Sequence, residues 1–136
     1  MNVGLLIVAH DRLGQALMDT ATGVLGHCPL RAAVVSVPRD CDLAQTRERV
    51  DVEAGKLDSG DGVLVLTDIY GSTPGNVACT LLPRPQVRVV AGVSLPMLIR
   101  VFNYPDLALE ELAAKAVSGG RDGVVLCEPQ SGTAHG

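Results

Sequence analysis

The sequence predicts an α/β fold: one domain built on a doubly wound, mostly parallel sheet with helices on both faces. Three observations carry this expectation. The segments 3–9, 32–37, 62–67 and 87–91 are apolar almost without alternation, as strands buried on both faces are. Stretches with three- and four-residue apolar spacing separate them, giving the order β-α-β-α-β-α-β-α-β once a short last strand at 123–127 is added. The first and third apolar runs end on polar residues, His10 and Asp68, and ligands of open parallel sheets sit at the carboxyl ends of strands.

The elements follow in chain order. After the first strand, Leu13, Ala16, Leu17, Thr20, Ala21 and Val24 predict one face of a helix, with Gly26 just past its end and Pro29 preventing continuation. The second strand closes at Pro38. Asp42 and Gln45 have the spacing of a capping box, and Leu43, Val50, Ala54 and Leu57 continue that helix. The cluster 59–62 (SGDG) is a turn, and the third strand runs from it to Asp68. Thr73 suits a helix cap and Pro74 a first helical residue, with Val77, Ala78, Leu81 and Leu82 facing inward until Pro83 and Pro85. Beyond the fourth strand, Ser94 caps a short helix. Asp106 is expected to cap the next, which carries Glu110 and Glu111 near its positive end and stops at Gly119 and Gly120. Right-handed crossovers and a strand order of 2-1-3-4 reverse the winding between strands 1 and 3. His10 and Asp68, 58 positions apart, are thereby brought to one crevice.

At 136 residues the chain makes one domain, expected over residues 1–127, with 128–136 (EPQSGTAHG) a disordered tail. Apolar residues make up 47%, yet no run nears the roughly 20 residues of a membrane helix, and no signal-peptide pattern opens the chain, so a cytoplasmic protein without membrane insertion is expected. A net charge of −4 without basic clusters argues against nucleic-acid binding. Nucleotide-binding glycine motifs are absent. Cys28, Cys41, Cys79 and Cys127 form no metal or redox spacing and are expected as free, buried thiols in a reducing compartment. No metal and no cofactor are expected.

The chemistry concentrates at His10 and in the stretch 67–76 (TDIYGSTPGN). A neutral imidazole is a nucleophile, and a carboxylate on one ring nitrogen fixes the tautomer that leaves the other free to attack. The same carboxylate favours the cationic ring formed when a phosphoryl group is attached. A helix start offers unpaired N–H groups and partial positive charge to a phosphate. His10 and Asp68 are therefore the catalytic candidates, and Thr73, with Ser72 and Gly71, the phosphate-binding ones. Each has an ordinary explanation taken alone: a strand-end histidine, a loop carboxylate, helix caps, a turn glycine. The combination around one crevice is what points to phosphoryl transfer.

These residues resemble a known family. The run 7–10 (IVAH) after an apolar strand, 68–76 (DIYGSTPGN), 91–98 (AGVSLPML) and 120–124 (GRDGV) are similar to the IIA domain of the mannose family of the bacterial phosphoenolpyruvate-dependent sugar phosphotransferase system. The resemblance covers about residues 1–127 in order. It implies that His10 accepts a phosphoryl group from phospho-HPr and passes it to a IIB component, through which a membrane IIC/IID complex is reached. It implies that Asp68 orients the imidazole and Thr73 helps hold the phosphate. It also implies a homodimer in which the strand at 123–127 pairs with the partner's sheet. Three departures stand out. Ser72 replaces a common second glycine, and Gly75 replaces a common bulky residue and is expected to loosen the helix start. Asp11 replaces a common glycine and is expected to point outward. No IIB domain is expected within this sequence, and the sugar is not expected to be set here. Three alternatives remain open. A response-regulator receiver lacks support in the acidic and lysine positions it requires. A phosphocarrier for dihydroxyacetone kinase shares the fold and the histidine. A non-catalytic regulatory interaction module could keep the fold alone.

Overall fold

The computed structural model describes residues 2–129. Four strands, β1 (Gly4–His10), β2 (Ala32–Val37), β3 (Val63–Thr67) and β4 (Val87–Ala91), form one parallel sheet in the order β2-β1-β3-β4. Five helices connect or flank them: α1 (Leu13–Leu25), α2 (Leu43–Leu57), α3 (Thr73–Cys79), α4 (Leu95–Phe102) and α5 (Leu109–Asp122). Alternation along the central strands divides the core. Leu5, Ile7, Ala9, Leu64 and Leu66 pack with α1, α4 and α5, while Leu6, Val8, Val63 and Val65 pack with α2 and α3. Leu5, Leu6 and Ile7 are fully buried, each contributing about 2–3 kcal/mol of apolar burial. β1 and β3 pair with Val8 opposite Thr67, which sets the carboxyl ends of both strands side by side.

The helices depart from expectation in informative ways. α1 ends as expected on Gly26 at φ 86°, but its inward stripe is rotated. Gly14, Met18 and Ala21 are buried, while Leu13, Ala16, Thr20 and Val24 are exposed. The cause is Gly14: a Cβ there would stand 2.9 Å from Val34 Cγ1 and 3.0 Å from Ile7 Cγ2, so the helix approaches the sheet on its glycine. Asp42 caps α2, accepting from Gln45 N–H at 3.2 Å. Ser72, not Thr73, caps α3, and α3 tightens after Cys79 into successive i→i−3 turns, which leaves Leu82 exposed. Ser94 caps α4 as expected.

Asp106 does not cap α5, whose N-cap is Ala108; burial of Leu109 against the core sets that start instead. Nor do Gly119 and Gly120 stop it. A Cβ on Gly119 would meet Arg100 Cβ at 2.4 Å and one on Gly120 would meet Met97 Cε at 2.9 Å, so these glycines let α5 lie close against α4 and the helix continues to Asp122. No strand forms over 124–127 in the single chain. Val124, Val125 and Leu126 are exposed by 86%, 70% and 85%, without a hydrogen-bonded neighbour strand among the described residues. The cysteines are free but not buried: Cys28, Cys41 and Cys79 are half-buried and Cys127 is exposed. Of the expected disordered tail, 130–136 lie outside the described residues. Among the described residues no helix is long and apolar enough to cross a membrane.

Candidate active site

Parallel pairing of β1 with β3 places the end of one strand against the end of the other, and the side chains found there are His10 and Asp68. His10 Nδ1 lies 2.7 Å from Asp68 Oδ2. The same oxygen accepts the backbone N–H of His10 at 2.9 Å, and Asp68 Oδ1 accepts the N–H of Ile69 at 2.9 Å. A carboxylate only accepts, so Nδ1 carries a proton, and in the neutral ring Nε2 then keeps its lone pair. The Asp68 side chain is 6% exposed and that of His10 is 38% exposed, so the anchor is sealed while the ring reaches solvent. Burial pushes the Asp68 carboxyl up. The bonds from the His10 backbone and ring, the Ile69 amide and attraction to His10 together outweigh burial and hold it below its ordinary 3.8.

The β3–α3 loop is pinned from within. Ile69 carbonyl accepts both the N–H and the hydroxyl of Ser72, at 3.2 Å and 2.7 Å. Ser72 Oγ in turn accepts Gly75 N–H at 3.3 Å. A Cβ on Gly75 would lie 2.5 Å from Ile69 O, so Gly75 tightens this helix start, contrary to the expected loosening. Gly71 sits at φ 84°, a turn conformation that favours glycine. The Ser72 hydroxyl proton is thus committed to the loop, whereas the backbone N–H of Thr73 has no partner among the described residues.

A pocket of about 190 Å³ opens at this end of the sheet, lined by His10, Val37, Pro38, Arg39, Thr73 and Pro74. His10 and Thr73 therefore share one cavity; Gly71 and Ser72 shape the loop behind it. Arg39 was absent from the sequence-based candidates. The available signal was topological: β2 neighbours β1, so the loop after β2 must fall on the same sheet end. Asp11 is exposed, as expected, at φ 46°. Asp tolerates this left-handed region better than most residues, and a glycine would adopt it freely. Ile69 and Tyr70, 58% and 83% exposed, project from the rim. His27 is exposed away from the site, and His135 lies outside the described residues. Among the described residues no group of three or more His, Cys, Asp or Glu is placed to hold a metal.

Comparisons with known proteins bear on the family and the fold. A family model described as the PTS system fructose IIA component, EIIA-man, matches residues 4–117. The chain is 32% identical over 127 residues to the PTS system mannose-specific EIIAB component of Escherichia coli (strain K12), covering 91% of this chain but 39% of that longer protein. It is 31% identical over 111 residues to the PTS system sorbose-specific EIIA component of Klebsiella pneumoniae, covering 79% of this chain and 78% of that one. Among solved structures, the mannose/sorbose specific IIA subunit of the phosphotransferase system from Enterococcus faecalis superposes with a TM-score of 0.87 at 30% identity, covering 98% of this chain and 100% of that one.

Proposed function

The chain belongs to the EIIA-man family of phosphotransferase-system IIA components, and we propose that it works as a phosphoryl carrier using Nε2 of His10. One observation carries this reading: the 2.7 Å bond from His10 Nδ1 to a sealed carboxylate, which in the neutral ring leaves Nε2 as the free nucleophile of a histidine that lines the pocket. The donor is phospho-HPr. The Nε2 lone pair forms a bond to phosphorus, and the donor's P–N bond breaks with its electron pair returning to the donor nitrogen. The proton on His10 Nδ1 stays in its bond to Asp68 throughout. Asp68 then balances the positive ring of the phosphorylated state. Thr73, through its hydroxyl and free N–H, holds phosphoryl oxygens, with Ser72 and Gly71 setting the loop that presents them. Passing the group to a IIB component reverses the same motions, and through IIB it serves a membrane IIC/IID complex.

The carrier acts in the cytoplasm as a homodimer. Support for the dimer comes from the edge position of β4 and from the exposed apolar run Val124, Val125 and Leu126, which would gain strand partners on a second subunit. Incubation with phospho-HPr tests the carrier role. Wild type is expected to take up one phosphoryl group, and His10→Ala none; a His10→Ala protein that labels as wild type does would remove His10 from the mechanism.

A further inference from the structure

We infer that the guanidinium of Arg39 binds the phosphoryl group while it resides on His10, an assignment that rests on the phosphocarrier reading above. Arg39 stands on the loop leaving β2, and that strand end is tied to the nucleophile. His10 and Val37 are partners in register, and Asp11 N–H donates to the Val37 carbonyl at 3.1 Å. Cys41 N–H closes a turn onto the Pro38 carbonyl at 3.2 Å, which holds Arg39 at the mouth of the pocket that His10 and Thr73 line.

The charge of Arg39 is uncommitted. Arg84, Arg88 and Arg100 each hold a carboxylate, at 2.8, 2.7 and 3.2 Å, whereas Arg39 pairs with no acid among the described residues. A phosphoryl group brings about −1.5 to −2 to a ring already bonded to the Asp68 carboxylate, with Asp11 adjacent. Of the residues lining the pocket, Arg39 alone carries a fixed positive charge. Its planar fork suits two phosphoryl oxygens at once, which an ammonium cannot match. Thr73 on α3 and Arg39 on the β2–α2 loop then both reach the group from the pocket they line.

Phosphoramidate tests this without a docking protein. The Nε2–P bond forms and ammonia leaves with the electron pair of the broken P–N bond, so any effect of Arg39 is on the phosphoryl group itself. Labelling of His10 in Arg39→Ala is expected to be about ten- to a hundredfold slower than in wild type, with partial recovery in Arg39→Lys. The phosphorus NMR signal of the phosphorylated histidine is expected to shift in Arg39→Ala. Wild-type labelling rates and an unmoved signal in Arg39→Ala overturn the role of Arg39 while leaving the carrier reading in place. A wild-type protein that phosphoramidate leaves unlabelled on His10 overturns both.

Discussion

The β3–α3 and β4–α4 crossings are locally alike. Each passes through a glycine at positive φ, Gly71 at 84° and Gly92 at 91°. Each then starts its helix on a serine cap, with Ser72 and Ser94 both accepting an N–H three residues on at 3.3 Å, and each has a proline in the first helical turn. They differ in the residue that follows the strand. Thr67 and Ala91 are partners in register; the next residue is Asp68 on β3 and Gly92 on β4. They differ also in neighbours, since β3 lies beside β1 and β4 lies at the edge. The second crossing instead braces the first: Gly92 N–H reaches the carbonyls of Thr67 at 2.9 Å and Asp68 at 3.1 Å. A capped helix start is therefore scaffold by default. It becomes the proposed site where the topology sets a histidine against it and the sequence supplies the carboxylate.

Breaking the difference should have the largest effect. Asp68→Ala frees the His10 ring and unfixes its tautomer, so the transfer rate from phospho-HPr is expected to fall on the order of a hundredfold or more. Circular dichroism should show the sheet intact. Wild-type rates in that variant would leave Asp68 without a role. Breaking the shared feature should separate the two crossings. Ser72→Ala and Ser94→Ala should each cost about 1 kcal/mol of stability in denaturant unfolding, but only Ser72→Ala should also slow phosphoryl transfer; equal transfer in both would show the loop to be mere scaffold.

The carboxylate gives the comparison a pH signature. The folded value of Asp68 lies below 3.8. Its contribution is therefore present above the unfolded value and is lost as pH falls through the lower folded one. Asp68→Asn should flatten the acid limb of the stability profile below about pH 4, and an acid limb identical to wild type would contradict the bonded carboxylate. The smallest effect belongs to Asp11. Asp11→Gly relieves its left-handed backbone and should leave stability within about 1 kcal/mol of wild type, with transfer from phospho-HPr equal or faster; slower transfer would give that carboxylate a positive role.

The strands and their order were legible because burial on both faces leaves unbroken apolar runs, and the crossover rule then puts His10 beside Asp68. What escaped the sequence lies in contacts between elements. The inward face of α1 turns on Gly14, whose value is the side chain it lacks against Val34 and Ile7. Gly119 and Gly120 resemble a helix stop but serve the packing of α5 on α4. Thr73 and Ser72 both suit a cap, and only the Ile69 and Gly75 hydrogen bonds choose between them. Arg39 belongs to no motif and joins the site solely through the register of β2 with β1. The segment 123–127 has strand composition, but strand hydrogen bonds need a neighbour that the single chain does not supply.

The most direct test of the account is to incubate the protein with phosphoenolpyruvate, enzyme I and HPr and to map the labelled residue. The account predicts one label, on His10, lost in acid and stable to base, as a phosphohistidine is. A label on Asp68 that base removes, or no label at all, would contradict it.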